Sequence, residues 1–156
     1  MIIVRNAQRQ ELERVNEMRR MVNDVHVSGR PDVFRENFCD ELRQHIYDKY
    51  DACDSDVLVA VADEVVCGFA IVEYIERPQS AYINSRRFYH VKEFGVDEKY
   101  RRKGVATALI SFMKDDARKM GFHKMELDMW EFNDGALAFY ENVGFKTYRR
   151  YMEMEC

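Results

Sequence analysis

The chain has 156 residues, of which 47% are hydrophobic and 33% are charged, so its size and composition fit one globular domain spanning residues 1–156. Its formal net charge of -4 argues against a protein built mainly to bind nucleic acid or an anionic membrane. No apolar stretch is long enough to cross a bilayer or to act as a secretion signal, which favours a cytoplasmic protein.

The first part of the chain predicts one strand followed by two helices. An apolar run over Ile2 to Val4 predicts the strand, and apolar residues recur at helical spacing from Gln8 to Val27. Gly29-Arg30-Pro31 interrupts that pattern, and Asp32 then offers an N-cap. Aromatic and aliphatic residues every four positions, as far as Tyr50, predict a second helix that begins near Asp32.

Shorter periodic segments follow this helical region. In chain order they predict a hairpin of strands at 57–62 and 65–75, a strand at 88–96, a helix ended by Gly121, a strand at 124–130, a short helix capped by Asn133 and closed by Gly144, and a final strand at 145–154. The order β-α-α-β-β-β-α-β-α-β predicts an α/β or α+β domain with a mixed sheet.

The segment DEKYRRKGVATAL, residues 97–109, joins a predicted strand to a predicted helix. The first N–H groups of a helix lack backbone partners and carry partial positive charge, so such a junction can bind a pyrophosphate. Gly104 lets the backbone approach an anion, Ala106 keeps the next position small, and the basic triplet adds positive charge. A solvated turn would explain the same residues, and so would a local nucleic-acid patch, although no second basic stripe accompanies it.

The stretch FGVDEKYRRKGVATALISFMKDDARKMG is followed by ELDMWEFNDGALAFYENVGFK. The two closely resemble the acetyl-CoA-binding core of the GNAT superfamily of N-acetyltransferases. The resemblance rests on a basic residue, a Gly and a small residue at Arg101, Gly104 and Ala106, then on a second motif at Asn133, Ala136, Phe139, Tyr140, Gly144 and Phe145. It implies a mostly antiparallel mixed sheet flanked by helices on both faces, and acetyl-CoA-dependent N-acetyltransferase activity.

The resemblance also implies which residues contact the acetyl donor. Backbone N–H groups of the helix start would hold the pyrophosphate, with basic side chains at its rim, and these residues are Arg101, Arg102, Lys103, Gly104, Val105, Ala106 and Thr107. The backbone from Phe94 to Val96 would pair with the pantetheine arm and polarise the thioester carbonyl. Asn133 and Tyr140 would line the gap between this strand and the next, near the sulfur.

Acetyl transfer from a thioester to an amine needs a neutral amine, a stabilised oxyanion and a protonated thiolate. Tyr140 matches the tyrosine acid of the family, and a phenol can protonate the leaving thiolate. Strand alternation would place His90, Lys92 and Phe94 on one face, and His90 titrates in the range suited to relaying a proton through water. Glu93 is the second candidate base, since a β-bulge would reverse its direction, and deprotonation without a side-chain base stays open.

The acceptor is expected between the first two helices, a segment that reads HVSGRPDVF at residues 26–34. Arg30, Asp32, Phe34 and the more distant Trp130 are candidate acceptor-binding residues, although the same segment would also serve simply to separate two helices. The resemblance implies a small-molecule or peptide amine. Protein N-termini or lysines are an alternative, and so is a sensor that binds acyl-CoA without turnover. Dimers are common in the family, so a homodimer is a further expectation.

The cysteines are scattered along the chain and none belongs to a recognisable metal motif. Cys39, Cys53, Cys67 and Cys156 form no C-x-x-C pair and have no neighbouring histidine cluster. We therefore expect reduced thiols and no metal site.

Overall fold

The computed structural model describes residues 1–156 as one sheet with helices on both faces. The elements are β1 (Ile2–Asn6), α1 (Leu12–Gly29), α2 (Asp40–Asp51), β2 (Ser55–Ala62), β3 (Val65–Arg77), β4 (Arg86–Val96), α3 (Val105–Lys119), β5 (Met125–Leu127) and α4 (Asp134–Asn142), with short 3-10 turns at Arg9–Glu11 and Glu98–Tyr100. The predicted α+β class with a mixed, mostly antiparallel sheet is confirmed. None of the helices combines the length and the apolar character needed to cross a bilayer.

The sheet follows the order of the chain, β1-β2-β3-β4-β5. The first four strands pair antiparallel, although α1 and α2 lie between β1 and β2 in the chain, and β5 pairs parallel with β4 after the α3 crossover. β5 is therefore the edge strand, and its pairing involves only Met125 to Leu127 against Tyr89 to Val91.

Each face of the sheet has its own apolar core. On one face, α1 and α2 cover a cluster that includes Leu12, Met18, Ile46, Phe69 and Ile71. On the other face, α3 and α4 cover a second cluster, which includes Tyr89, Val91, Leu109, Met113 and Phe122. The side chains of β3 and β4 alternate between these two cores, so the direction of each residue decides which helices it contacts.

A β-bulge in β4 determines which residues of this strand face each core. Ile71 pairs with Glu93, whereas the next residue of β3 pairs with Val91, so Lys92 has no partner. As a result His90 and Glu93 both face α1 and α2, and Phe94 faces α4. The simple alternation that grouped His90 with Phe94 is wrong, and the bulge considered for Glu93 is present.

Three predicted elements differ from the structure, and one of them is the strand predicted at 124–130, which is reduced to Met125–Leu127. The second helix begins at Asp40 rather than near Asp32, because the amides of Val33 and Phe34 both donate to the carbonyl of Arg30 and form a turn there. The final strand predicted at 145–154 is absent, because residues 146–156 make no backbone–backbone hydrogen bond. A strand requires a neighbour, and in the single chain these residues have none.

We expect Gly95→Ala to lower the free energy of unfolding by about 1–3 kcal/mol, the usual cost of overpacking a core. An added Cβ would lie 2.7 Å from Cε1 of Phe69 and 2.9 Å from Cγ2 of Val22, both between β4 and α1. The matched control is Gly135→Ala, whose Cβ meets nothing within 4 Å and which lies in α4. Urea denaturation of both variants measures the difference. Equal stability of the two would contradict the close packing at Gly95.

Candidate active site

The turn between β4 and α3 presents an uninterrupted row of free backbone donors. The amides of residues 102–107 donate to no acceptor within the chain, because the first bond of this helix runs from the amide of Ala108 to the carbonyl of Gly104. Arg102 and Gly104 both have positive φ angles, 59° and 85°, which turns successive amides toward one side. The first turn of α3 contains no acidic residue. The turn can therefore bind an anion with several oxygens.

Side chains leave the space in front of these amides open. A Cβ at Gly104 would meet no atom within 4 Å. Arg101 lies 3.5 Å from Glu98, and Lys103 lies over the ring of Tyr100, so both basic side chains stand beside the turn. On the inner side, Val105 is buried against Gly68, which fixes the start of α3 to the sheet.

Asp97 secures the turn from its other end. Its carboxylate accepts a hydrogen bond of 2.9 Å from the amide of Lys99 and pairs with Arg14, while its own amide donates to Cys67. Burial raises the pKa of this carboxyl, but the bonds from Lys99 and Arg14 outweigh burial, so the net shift is downward. Asp97 is therefore ionised at neutral pH, and its contacts fix the start of the turn to Arg14 of α1 and Cys67 of β3.

β4 and β5 separate next to this turn. Their pairing ends at Val91 and Leu127, although β4 continues to Val96. The edge of β4 near Phe94 thus has no strand partner on the side of β5 and is available to an extended ligand. Phe94 and Val96 are both half-buried and pack against the α3 and α4 core.

Tyr140 lies beside this separated edge. Its ring centroid is 6.1 Å from that of Phe94 and 5.7 Å from that of Phe145. Burial raises the pKa of Tyr140 to about 12, and no hydrogen bond contributes to that shift. The phenol is therefore protonated at neutral pH, and its hydroxyl is available to donate.

Asn133 is the N-cap residue of α4. Its Oδ1 accepts a hydrogen bond of 3.2 Å from the amide of Ala136, which is the N-cap interaction expected from the sequence. The NH₂ group of its side chain remains as a donor.

His90 is part of a chain of charged groups on the face covered by α2. Its Nδ1 lies 3.0 Å from Oε1 of Glu73, the residue directly opposite it on β3. The other oxygen of Glu73 accepts from Nζ of Lys49 at 2.5 Å, and His90 Nε2 lies 3.6 Å from Asp128. Burial raises the pKa of Glu73, but the bonds from Lys49 and His90 more than compensate, so this carboxyl is ionised at neutral pH.

Glu93 is held by a buried guanidinium. Arg19, of which 2% is exposed, donates from Nε to one carboxylate oxygen at 2.7 Å and from Nη2 to the other at 2.9 Å. Arg19 also donates to the carbonyl of Leu42 at 2.7 Å, which links α1, α2 and β4. Both oxygens of Glu93 are thus engaged, a geometry suited to holding the helices against the sheet.

An aromatic wall, formed by His26, Phe34, Trp130 and Phe132, connects the end of α1 with the segment after β5. The ring of Phe34 is 5.0 Å from His26 and 5.2 Å from Trp130, centroid to centroid. Arg30 lies over the ring of Trp130 at 5.4 Å. The same guanidinium makes bonds of 2.8 Å to both oxygens of Asp32 and also pairs with Glu153 at 2.8 Å, so its positive charge is fully engaged.

The structure brings sequence-derived residues together in two groups. Phe94, on the unpaired edge of β4 that leads into the turn at 101–107, contacts Tyr140, and both Arg30 and Phe34 contact Trp130. Sequence reasoning missed Arg19, Glu73 and Lys49. Arg19 interrupts the apolar stripe of α1 and Glu73 interrupts an apolar strand, and a buried charge in either position indicates a partner.

Comparison with known proteins identifies one family whose model matches most of the chain. The acetyltransferase (GNAT) family model matches residues 17–145. A probable N-acetyltransferase 14 of Xenopus tropicalis is 31% identical over 108 residues, which cover 69% of this chain and 48% of that protein. The chain spans about half the length or less of the curated relatives it matches.

Solved structures share the fold over almost the whole chain. A mutant of the BH1408 protein from Bacillus halodurans has a TM-score of 0.94 at 26% identity, covering 99% of both chains. The aminoglycoside N-acetyltransferase AAC(6')-Iy, in complex with a CoA-containing bisubstrate analogue, has a TM-score of 0.78 at 18% identity, covering 100% of this chain and 98% of the other.

Proposed function

We propose that this chain, which belongs to the acetyltransferase (GNAT) family, is an N-acetyltransferase that moves the acetyl group of acetyl-CoA directly to a primary amine of a small molecule or peptide. The observation that carries this proposal is the row of free amides at residues 102–107, next to the unpaired edge of β4. A pyrophosphate and an extended pantetheine arm are complementary to these two features.

The donor would be held mainly by backbone atoms. The free amides bind the pyrophosphate, Arg101 and Lys103 add positive charge at its rim, and Asn133 lies across the gap. The backbone near Val96 supplies a hydrogen bond to the thioester oxygen, which strengthens as negative charge develops there. Tyr140 is positioned to protonate the thiolate as it leaves.

The acceptor would lose its proton to His90. Because Glu73 accepts from Nδ1–H, Nε2 is left with a lone pair that can accept a proton. His90 stands four residues before Phe94, roughly 13 Å along an extended strand, so the proton would travel through water. Glu93 is the weaker candidate because Arg19 occupies both of its oxygens.

The acceptor side suits a small cationic amine. Asp128, which is largely exposed, supplies negative charge, and the aromatic wall supplies ring faces that attract an ammonium group. The aminoglycoside acetyltransferase that shares this fold also has an amine acceptor, which supports the same substrate class here. Arg30 is paired with both Asp32 and Glu153, so it would shape this wall without offering a free positive charge.

The direct test is release of CoA thiol from acetyl-CoA in the presence of a panel of small amines, amine-bearing peptides and a lysine-rich protein. We expect release with small amines and peptides. Binding of acetyl-CoA without release for any amine would favour a sensor, and release only with the protein would favour a protein acetyltransferase.

We expect Gly104→Val to weaken acetyl-CoA binding by tenfold or more. A β-branched residue at positive φ costs more than ~1.4 kcal/mol of conformational free energy, and ~1.4 kcal/mol corresponds to a factor of ten in affinity. Gly121→Val is the matched control. Gly121 has a φ of 79°, with nothing within 4 Å of its Cβ, and lies after the other end of α3. Isothermal titration measures both. Equal acetyl-CoA affinity of both variants would show that the turn is not part of the donor site.

A further inference from the structure

The aromatic ring of Phe132 packs against the last residue of α1 so closely that only glycine fits there. A Cβ added to Gly29 would lie 2.3 Å from Cε2 and 2.4 Å from both Cδ2 and Cζ of that ring, closer than at any other glycine of the chain. Gly29 is not among the glycines with positive φ, so its backbone conformation suits other residues too. Glycine is therefore required at this position by space alone.

Neighbouring rings leave the ring of Phe132 little room to move away from α1. Its centroid is 6.2 Å from that of His26, edge to face, and 6.5 Å from that of Trp130, with 26° between the two planes. The ring of His26 is itself held, because its Nδ1 lies 2.9 Å from the carbonyl oxygen of Val22. A Cβ at Gly29 would therefore displace Phe132 together with its backbone.

Phe132 belongs to a segment that depends on side-chain contacts for its position. Residues 128–133 connect β5 to α4, and apart from the first bond of α4 they make one backbone–backbone hydrogen bond, from the amide of Asn133 to the carbonyl of Trp130. None of the residues of α4 is fully buried. The contact between Phe132 and Gly29 thus fixes the point at which α4 begins.

The start of α4 determines where Tyr140 lies. Phe132 directly precedes the N-cap residue Asn133, and Tyr140 follows Asn133 within the same helix. The distance from Asn133 to Tyr140 along the helix axis is roughly 10 Å, or about two turns. A helix this short moves as a rigid element, so a shift at its first turn reaches the hydroxyl of Tyr140.

We propose that Gly29 and Phe132 are positioning residues for acetyl transfer, because their contact fixes the start of α4 and so holds the hydroxyl of Tyr140 at the leaving thiolate. The inference rests on the proposed function, in which Tyr140 is the general acid. Gly29 lies within the candidate acceptor segment, residues 26–34, so this segment would also position the acid. The amides of residues 102–107, which would bind the donor, lie before α3 and do not depend on this contact.

The test compares Gly29→Ala with the wild type in kcat for thiol release and in acetyl-CoA affinity. We expect kcat per folded molecule to fall by about 10- to 100-fold with unchanged affinity, since a misplacement of about 1 Å can cost 100-fold in rate. Gly135→Ala is the matched control and should keep the wild-type kcat, because its Cβ meets nothing within 4 Å in the first turn of α4. Adding Phe132→Leu to Gly29→Ala should restore part of the lost rate, because the smaller side chain leaves room for the Cβ.

Two further measurements separate positioning from a general loss of structure. In a Tyr140→Phe background, Gly29→Ala should lower kcat no further, because the hydroxyl through which it acts is absent. The amide of Leu137, which donates to the carbonyl of Asn133, should exchange its hydrogen faster in Gly29→Ala, and this measurement needs no turnover.

Three results would overturn the inference: equal kcat for wild type and Gly29→Ala, an equal loss of kcat with and without the hydroxyl of Tyr140, or unchanged exchange at Leu137. A wild type that releases no thiol with any amine would instead overturn the proposed function. The exchange at Leu137 would then still decide whether the contact of Phe132 with Gly29 fixes α4.

Discussion

Tyr140→Phe should lower kcat for thiol release by about 10²- to 10⁴-fold, the range that a positioned general acid contributes. The ring of Tyr140 lies among Phe94, Phe139 and Phe145, and burial alone raises the pKa of the phenol to about 12. Phenylalanine keeps the ring and its packing and removes only the proton donor. We therefore expect unchanged acetyl-CoA binding together with a large loss of turnover.

A second buried phenol serves as the control for Tyr140. Tyr89 faces the same core, and burial followed by its interaction with Asp116 also raises its pKa, but its hydroxyl donates to Asp116 at 3.0 Å, whereas no hydrogen bond contributes to the pKa of Tyr140. Tyr89→Phe should reduce stability and leave kcat per folded molecule unchanged. Equal kcat for wild type and Tyr140→Phe would show that the thiolate is protonated by solvent.

The raised pKa of Tyr140 also has a consequence for the pH profile. A phenol whose pKa is about 12 keeps its proton throughout the neutral and mildly alkaline range. Activity of the wild type should therefore show no loss of this acid as pH rises from 7 to about 10, the ordinary pKa of tyrosine. A decline in kcat centred on that ordinary value would contradict the buried setting of the side chain.

The donor side was predictable because its determinants are local in sequence. Gly104 adopts the positive φ that a strand-to-helix turn requires, and the free amides follow from helix geometry alone. Asn133 caps α4 through a bond to Ala136, three residues away. Each feature depends on residues that are close together in the sequence, so each can be predicted from a single sequence.

The acceptor side was less predictable because its contacts span long sequence separations. Arg19 and Glu93 are 74 residues apart, and His90 meets Glu73 only because a hairpin register places them opposite each other. The bulge at Lys92 depends on the pairing of β3 with β4 and leaves no sequence signal of its own. The missing final strand has the same cause, since a strand cannot be assigned without its partner.

The turn after α1 shows how one local pattern can have two outcomes. Arg30-Pro31-Asp32 ends the first helix as expected, but Asp32 pairs with Arg30 instead of capping a second helix. The aromatic contact of Phe34 with Trp130 holds the segment against the residues that follow β5. Tertiary packing therefore decided between a helix start and a loop that forms part of the acceptor wall.

His90→Gln should lower kcat/KM by about 10²- to 10⁴-fold at neutral pH, the range for loss of a general base. Glutamine can still donate to Glu73, so the link to Lys49 persists, but it cannot take a proton from an ammonium group. The expected loss should shrink as pH rises toward the range in which the acceptor amine is already neutral. A loss that is constant at every pH would indicate a purely structural role.

Glu73→Gln and Glu93→Gln separate positioning of the base from support of the fold. In Glu73→Gln a neutral amide replaces the carboxylate that holds Nδ1–H, so the ring is oriented less firmly and kcat/KM should fall to a value between wild type and His90→Gln. Glu93→Gln should leave kcat/KM per folded molecule unchanged and reduce stability by about 1–3 kcal/mol, because Arg19 loses a buried partner. If Glu93→Gln, rather than Glu73→Gln, lowered kcat/KM, the base would be Glu93, and the bidentate pair with Arg19 would have to open during turnover.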